Sequence, residues 1–214
     1  LGVEVVVPKD QVCCGSPMIR IGVWNLLEDL VKKNVAAFER FGVKTIVTPC
    51  AGCSLTLKTN YPGYVKKFLG REMPFKVYHL SEYIVDVLRQ ELPKLKLKEM
   101  KLRVTWHDPC HLSRGQGVYK QPRELLTSIP GVQLIEMRGA DQCCGAGGGV
   151  RSGKRELSEL IRADKVKMIL ETGAEAVVTE CPFCVIQLRD ALDEVGRNDI
   201  KVFYLEELIK EAIE

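Results

Sequence analysis

The chain has 214 residues, 46% of them hydrophobic and 28% charged, with a formal net charge of +3. That suffices for one substantial core or two small ones of ordinary soluble composition. So slight a positive surplus, interleaved with Asp and Glu, makes no case for nucleic acid; no apolar run approaches the ~18–20 residues of a membrane span, and nothing resembles a secretory leader.

From the amino end, β-branched runs predict strands over 3–7, 43–48, 75–79, 102–106, 132–137, 175–179 and 200–204. Longer amphipathic stretches predict helices over 22–41, 80–90, 121–128, 154–172, 184–194 and 205–213. In the stretch before Gly173, Leu157, Leu160, Ile161 and Met168 recur at helical spacing, and the glycine supplies a C-terminal cap. Short strands alternating with helices are the signature of α/β units around a mainly parallel sheet.

The pattern occurs twice. Phe41-Gly42-Val43-Lys44-Thr45-Ile46-Val47-Thr48-Pro49-Cys50 aligns with Thr172-Gly173-Ala174-Glu175-Ala176-Val177-Val178-Thr179-Glu180-Cys181, and Gly2–Val7 resembles Gly131–Glu136. A repeat of this length means two similar domains, not a solenoid. We expect residues 1–92 and 99–214 to be two Rossmann-like α/β repeats related by a pseudo-twofold, with Leu92-Pro93-Lys94-Leu95-Lys96-Leu97-Lys98 as linker. The strand at 102–106 and Cys110 have no counterpart in the first copy, and the chain opens on Leu1. The expectation is a fragment whose first repeat lacks its opening strand, first helix and one cysteine.

All nine cysteines belong to the repeat. One copy reads Cys110, then Cys143-Cys144-Gly145, then Cys181-Pro182-Phe183-Cys184; the other reads Cys13-Cys14-Gly15, then Cys50-Ala51-Gly52-Cys53. From the CC pair to the CxxC pair there are 36 intervening residues in the former and 35 in the latter. An odd total and adjacent cysteines suit a disulfide framework badly, so the expected compartment is reducing and cytoplasmic. Duplicated thiolates at matched spacing point to two soft-metal sites, with iron–sulfur chemistry leading. Zinc remains open, above all for the four cysteines of the first copy, because zinc closes a tetrahedron with four ligands. Cys110, Cys143-Cys144 and Cys181 each follow a predicted strand, so all gather at the carboxyl edge where open α/β sheets take ligands.

Other residues carry two readings each. Gly145, Gly147 and Gly148 lack the ending of a P-loop and instead let the backbone approach a cluster or substrate closely. His107 and His111 flank Cys110 as metal ligands, as acids for a departing thiolate, or as hydrogen-bonding residues that position the loop. His79 sits in a strand-to-helix corner and reads as structural. Arg114 and Arg151 balance an anionic cluster, hold a carboxylate, or are simply solvated.

These residues resemble the cysteine-rich "CCG" domain family, whose pattern is a single Cys, a CCG some thirty-odd residues later and then a CxxC. Cys110, Cys143-Cys144-Gly145 and Cys181-Pro182-Phe183-Cys184 match it fully. The wording around His107-Asp108-Pro109-Cys110-His111 is most similar to heterodisulfide reductase catalytic subunits, and the iron–sulfur subunits of glycolate, lactate and glycerol-3-phosphate dehydrogenases are similar. The resemblance implies a noncubane [4Fe–4S] cluster on the five-cysteine motif, with a second cluster, zinc or nothing at Cys13, Cys14, Cys50 and Cys53. It further implies reduction of a disulfide between thiol coenzymes, or electron relay within a flavin-linked dehydrogenase. The partners it implies are ferredoxin-like, flavin or haem/quinone-linked subunits, with membrane contact only through them. A zinc-stabilised binding module is the remaining alternative.

Overall fold

The computed structural model describes residues 1–213. Two parallel sheets organise the chain. The first pairs β1 (Thr45–Thr48) with β2 (Lys76–His79); the second runs β4 (Val132–Leu134), β3 (Leu102–Trp106), β5 (Ala176–Thr179), β6 (Lys201–Tyr204) in that spatial order. Helices cover the sheets, as parallel strands require. This is the mixed, Rossmann-like α/β fold expected. The duplication extends to register: Thr45 faces Lys76 and Thr48 faces His79, just as Ala176 faces Lys201 and Thr179 faces Tyr204. Both outer strands then turn into a helix through the same capping box. The backbone N–H of His79 donates to Glu82 Oε2 at 3.1 Å, and that of Tyr204 to Glu207 Oε2 at 2.9 Å.

In the second half, side chains alternate across β5: Ala176 and Val178 enter one core with Val104 and Trp106, while Val177 enters the other. The first core lies against α7 (Lys120–Thr127) and α11 (Leu205–Ala212). The second lies against α9 (Arg155–Thr172) and α10 (Pro182–Glu194), so all four β5 residues are buried. The first half has its own cluster, in which Val31, Val35 and Phe38 of Leu27–Glu39 meet Ile46, Val77, Tyr61 and Val65.

Several predicted elements are corrected. The strand predicted over 3–7 does not form, and Val5 and Val7 are 76% and 71% exposed. Its counterpart β4 pairs only with β3, and among the described residues nothing stands beside β1 where β3 stands beside β5. A strand without a neighbour has no ladder to join. The helix predicted over 22–41 is shorter, Leu27–Glu39, with a separate, unpredicted helix at Ser16–Ile21 before it, and that over 80–90 is a turn at Leu80–Glu82 continued by a π-helical turn at Tyr83–Val87. The helical run after Cys50 went unpredicted: Ala51–Leu55, a π-helical turn at Thr56–Asn60, then Tyr61–Leu69. Pro62 has no N–H for the preceding turn, and the ladder loosens just before it.

The segment 92–98 is packed down, not strung between the halves. Leu97 forms an antiparallel bridge with Ile213, Lys98 N donates to Ala212 O at 2.8 Å, and Leu92 and Leu97 join Val85 against the second sheet.

Candidate metal centre

The carboxyl ends of β3, β4 and β5 lead into three loops. The first carries Cys110 and the second Cys143-Cys144. The third carries Cys181, which caps α10, and Cys184 lies in that helix's first turn. All nine cysteines are free. In the second half Cys144 Sγ lies 3.4 Å from Cys184 Sγ, and the five thiols act on one another's protonation in a chain, Cys110 with Cys143, Cys143 with Cys144, Cys144 with Cys184, and Cys184 with Cys181. Cys143 is pulled down to about 2, first by the Cys110 thiol and then by that of Cys144, with the Gly145 amide donating to its sulfur at 3.3 Å. Cys110 is pushed up by Cys143 and by burial, and Cys144 rises to about 12 for the same first reason. The Cys184 thiol lowers Cys181, while Cys184 itself is raised by Cys144 and Cys181. Two lowered thiols, Cys143 and Cys181, thus stand among three raised ones, the division taken by sulfurs crowded together without a cation. Tetrahedral binding at ~2.3 Å would hold sulfurs about 3.8 Å apart, so small shifts seat a metal here. The donor set fits.

The first half repeats this on a smaller scale. Cys14 Sγ lies 3.2 Å from Cys53 Sγ, and Gly15 N donates to Cys13 Sγ at 3.4 Å. Cys53 lowers Cys14 to about 7 and Cys50 to about 6, and is itself raised, first by Cys14. The two centres adjoin. Ala51 N donates to Glu180 O at 3.2 Å, Ala51 is packed in one core with Cys144, Cys181 and Cys184, and Gln116 Nε2 donates to Ser54 Oγ at 2.8 Å.

The glycine of each CCG is fixed by backbone and space together. Gly15 and Gly145 both have φ near +84°, and a Cβ would stand 2.8 Å from Leu27 Cδ2 at the first and 3.0 Å from Ser158 O at the second. Gly147 and Gly148 differ: among the described residues nothing lies within 4 Å of an added Cβ at either, and Gly148 has a left-handed φ of +65°. Exposure is graded across the centre. Cys143 is exposed and Cys110 half-buried, while Cys144, Cys181 and Cys184 are buried, leaving one sulfur face open to solvent.

The two histidines part company. His107 is 1% exposed; one ring nitrogen lies with the sulfurs of Cys144 and Cys184 inside a 4.8 Å group, and neither nitrogen has a hydrogen-bond partner among the described residues. Burial, then the charge of Lys165, pushes it down to about 3, so the ring is neutral. His111 leans the other way: its Nδ1 would lie 3.5 Å from a Cβ on Gly52, inside the first CxxC, and burial followed by Arg20 lowers its pKa. His79, fully buried at its corner, is bound to Pro49 O and Ser81 Oγ. Arg114 pairs with exposed Asp141, and Arg151 with Gln187 and Asp190.

Sequence reasoning missed three supports. Lys165, 1% exposed, donates to Gly139 O at 2.6 Å, and its charge acts on Cys143, Cys144 and Cys184. Its repeat counterpart is Asn34, which accepts from Val12 N and donates to Cys13 O and Tyr61 OH. A lysine on the buried stripe of α9, one turn beyond Ile161, was the available signal. Asp108 anchors the Cys110 loop through Trp106 and Arg123. Glu180, beside Cys181, is fully buried.

Residues 1–58 and 104–189 match the family described as the CCG cysteine-rich domain. The chain belongs to that family. Within it, the chain is 47% identical over 211 residues to one of the subunits of the CoM/CoB fumarate reductase of Methanothermobacter marburgensis, covering 99% of this chain and 40% of that protein. It is 37% identical to one of the subunits of the dihydromethanophenazine:CoB–CoM heterodisulfide reductase of Methanosarcina barkeri, over 96% of this chain and 50% of the other. A probable glycolate oxidase iron-sulfur subunit from Bacillus subtilis is 31% identical, over 99% and 48%. The chain therefore spans half or less of the length of these curated relatives, which are subunits of redox enzymes. No described helix is long and apolar enough to cross a membrane.

Proposed function

We propose that the chain is the iron–sulfur part of a disulfide-reducing oxidoreductase, with residues 99–214 holding a noncubane [4Fe–4S] cluster on Cys110, Cys143, Cys144, Cys181 and Cys184. The observation that carries the reading is the unbroken chain of interacting thiols through all five cysteines, with Cys143 exposed to solvent. Such a cluster supplies one-electron transfer and an iron able to take a substrate sulfur. The chain's own residues do the rest. Buried Cys144, Cys181 and Cys184 keep water from the inner side. The Gly145 amide stabilises the Cys143 thiolate, and Lys165 offsets the negative charge of the assembled thiolates. His107 stays neutral and gives the inner sulfurs a ring nitrogen; His111 stands at the mouth between the two halves.

The reaction takes two electrons and two protons to convert one disulfide into two thiols. The electrons come from partner subunits of the ferredoxin-like, flavin or haem/quinone-linked kind, and the protons from solvent through the exposed side. Residues 1–92 form the first half, whose Cys13, Cys14, Cys50 and Cys53 take a further cluster or zinc. In this reading the protein works in the cytoplasm and meets a membrane only through a partner. A second reading, an electron-relay subunit of a flavin-dependent 2-hydroxyacid or glycerol-3-phosphate dehydrogenase, is favoured by the adjoining of the two centres. Anaerobically purified protein separates the two by electron paramagnetic resonance and turnover. Disulfide reduction predicts a changed spectrum on adding a heterodisulfide to reduced protein and thiol release with an artificial one-electron donor; a filled cluster with neither favours relay. Colourless protein containing zinc and no iron would overturn both. Cys144→Ala should abolish the signal of the second half, and Cys13→Ala should leave it intact.

A further inference from the structure

A second cluster of donor groups, containing no cysteine, lies where the two halves meet. His79 ends β2, Glu180 follows β5, and Glu206 opens α11; one ligand atom from each lies within 4.8 Å of the others. His79 and Glu180 are 0% and 1% exposed. Pro49 O, which can only accept, stands 2.9 Å from His79 Nε2, so Nε2 carries the ring proton and Nδ1 presents its lone pair. That lone pair faces Ser81 Oγ at 3.0 Å and Glu180 Oε2 at 3.7 Å, while the same Ser81 hydroxyl donates to Glu180 Oε2 at 3.1 Å. One hydroxyl hydrogen thus stands between two acceptors. Glu180 Oε1 and both carboxylate oxygens of Glu206 are buried without a hydrogen-bond partner among the described residues. The neighbouring cation, Lys58, is already held by Glu82 at 2.6 Å.

We propose that His79 Nδ1, Glu180 and Glu206 form a divalent-metal site that clasps the first sheet to the second. Acceptors gathered in a buried pocket with too few hydrogens are costly until a cation joins them. The histidine is already arranged as metal-bound imidazoles are, with its far N–H tied to a backbone carbonyl that fixes tautomer and ring orientation. One imidazole and two carboxylates, without sulfur, suit a first-row ion between Mn2+ and Zn2+, with water filling the remaining positions. The ion would brace both CxxC loops at once, because Pro49 precedes Cys50 and Glu180 precedes Cys181. No cysteine is a ligand, so this site stands or falls apart from the iron–sulfur reading.

The test is a Mn2+ titration of the anaerobically purified chain with its cysteine centres filled, following the loss of the free-ion paramagnetic resonance signal. Thiolates are poor ligands for Mn2+, so the cysteine centres do not compete. One bound Mn2+ per chain is expected. Glu206→Gln, nearly isosteric, should weaken binding at least roughly tenfold, since losing even an outer-shell partner costs that much. Mn2+ should also raise the thermal midpoint of the wild type and not of the variant. If Glu206→Gln fails to fold, His79→Asn carries the same comparison. A cluster that only shares protons gives no binding up to about 1 mM, weaker than ordinary protein sites. That result, or equal binding by wild type and a folded variant, overturns the proposal.

Discussion

Asp108 offers the sharpest mechanical test of how the Cys110 loop is held. Its Oδ1 accepts from Trp106 Nε1 and Arg123 Nη1, and its Oδ2 from Arg123 Nη2, each at 2.8 Å; its amide donates to Ala140 O at 3.0 Å. The carboxylate is 6% exposed and Trp106 is fully buried. Asp108→Ala therefore strands a buried indole N–H, at about 1–3 kcal/mol, and breaks a bidentate charged pair; together these amount to about 3–5 kcal/mol. Arg123 keeps Glu136 at 2.7 Å, which places the expected loss near the lower figure. Asp108→Asn retains an acceptor for Trp106 and should cost only about 1–2 kcal/mol. Against a typical total of about 5–15 kcal/mol, both variants fold. Anaerobic urea denaturation reads the loss, and the iron-to-protein ratio after reconstitution reads the loop, with Ala below Asn below wild type. If Asp108→Ala loses less than about 1 kcal/mol, the clamp reading is refuted.

Lys165→Met removes a buried positive charge acting on three cysteines, so the second-half centre should reduce at a potential lower by on the order of 50 mV, about 1 kcal/mol; an unchanged midpoint in a redox titration contradicts that role. Gly145→Ala places a Cβ 3.0 Å from Ser158 O on a left-handed backbone and should lower both stability and iron content, whereas Gly147→Ala meets open space and should leave both intact. Burial raises Glu206 from its ordinary value near 4.5 to about 7. Between those pH values the folded state holds the extra proton, so stability falls as pH rises through the window, and the loss is complete above it. In chelator, Glu206→Gln should therefore be more stable than wild type by about 2 kcal/mol at pH 8 and gain little near pH 4.5; a pH-independent difference in urea titrations would count against this.

Much of the second half was legible because its strands are short β-branched runs whose ends the cysteines mark. The strands at 102–106, 175–179 and 200–204 appear within a residue of their predicted bounds. The run 3–7 carries the same local signal and fails, because strand formation needs a neighbour that composition cannot report. The helix after Cys50 was not predicted; Pro62 lies in the first turn of Tyr61–Leu69, where a proline is tolerated because its missing N–H has no helical partner to lose. The convergence of Cys110 with the other four followed from topology. Which histidine faces which centre did not, since His107 and His111 are four residues apart yet lie against different halves. Lys165, Asp108 and the His79–Glu180–Glu206 cluster depend on partners distant in sequence, and only the folded chain brings them together.

The packing of Val85, Leu92 and Leu97 onto the second sheet bears on how the halves can be handled apart. A shortened chain starting at residue 99 would bare the apolar surface around Val104 and Leu208 that these side chains shield, and would leave Ile213 without its bridge to Leu97. Expressed alone, such a piece should be sticky and prone to precipitate; carrying the preceding fifteen or so residues along should restore good behaviour.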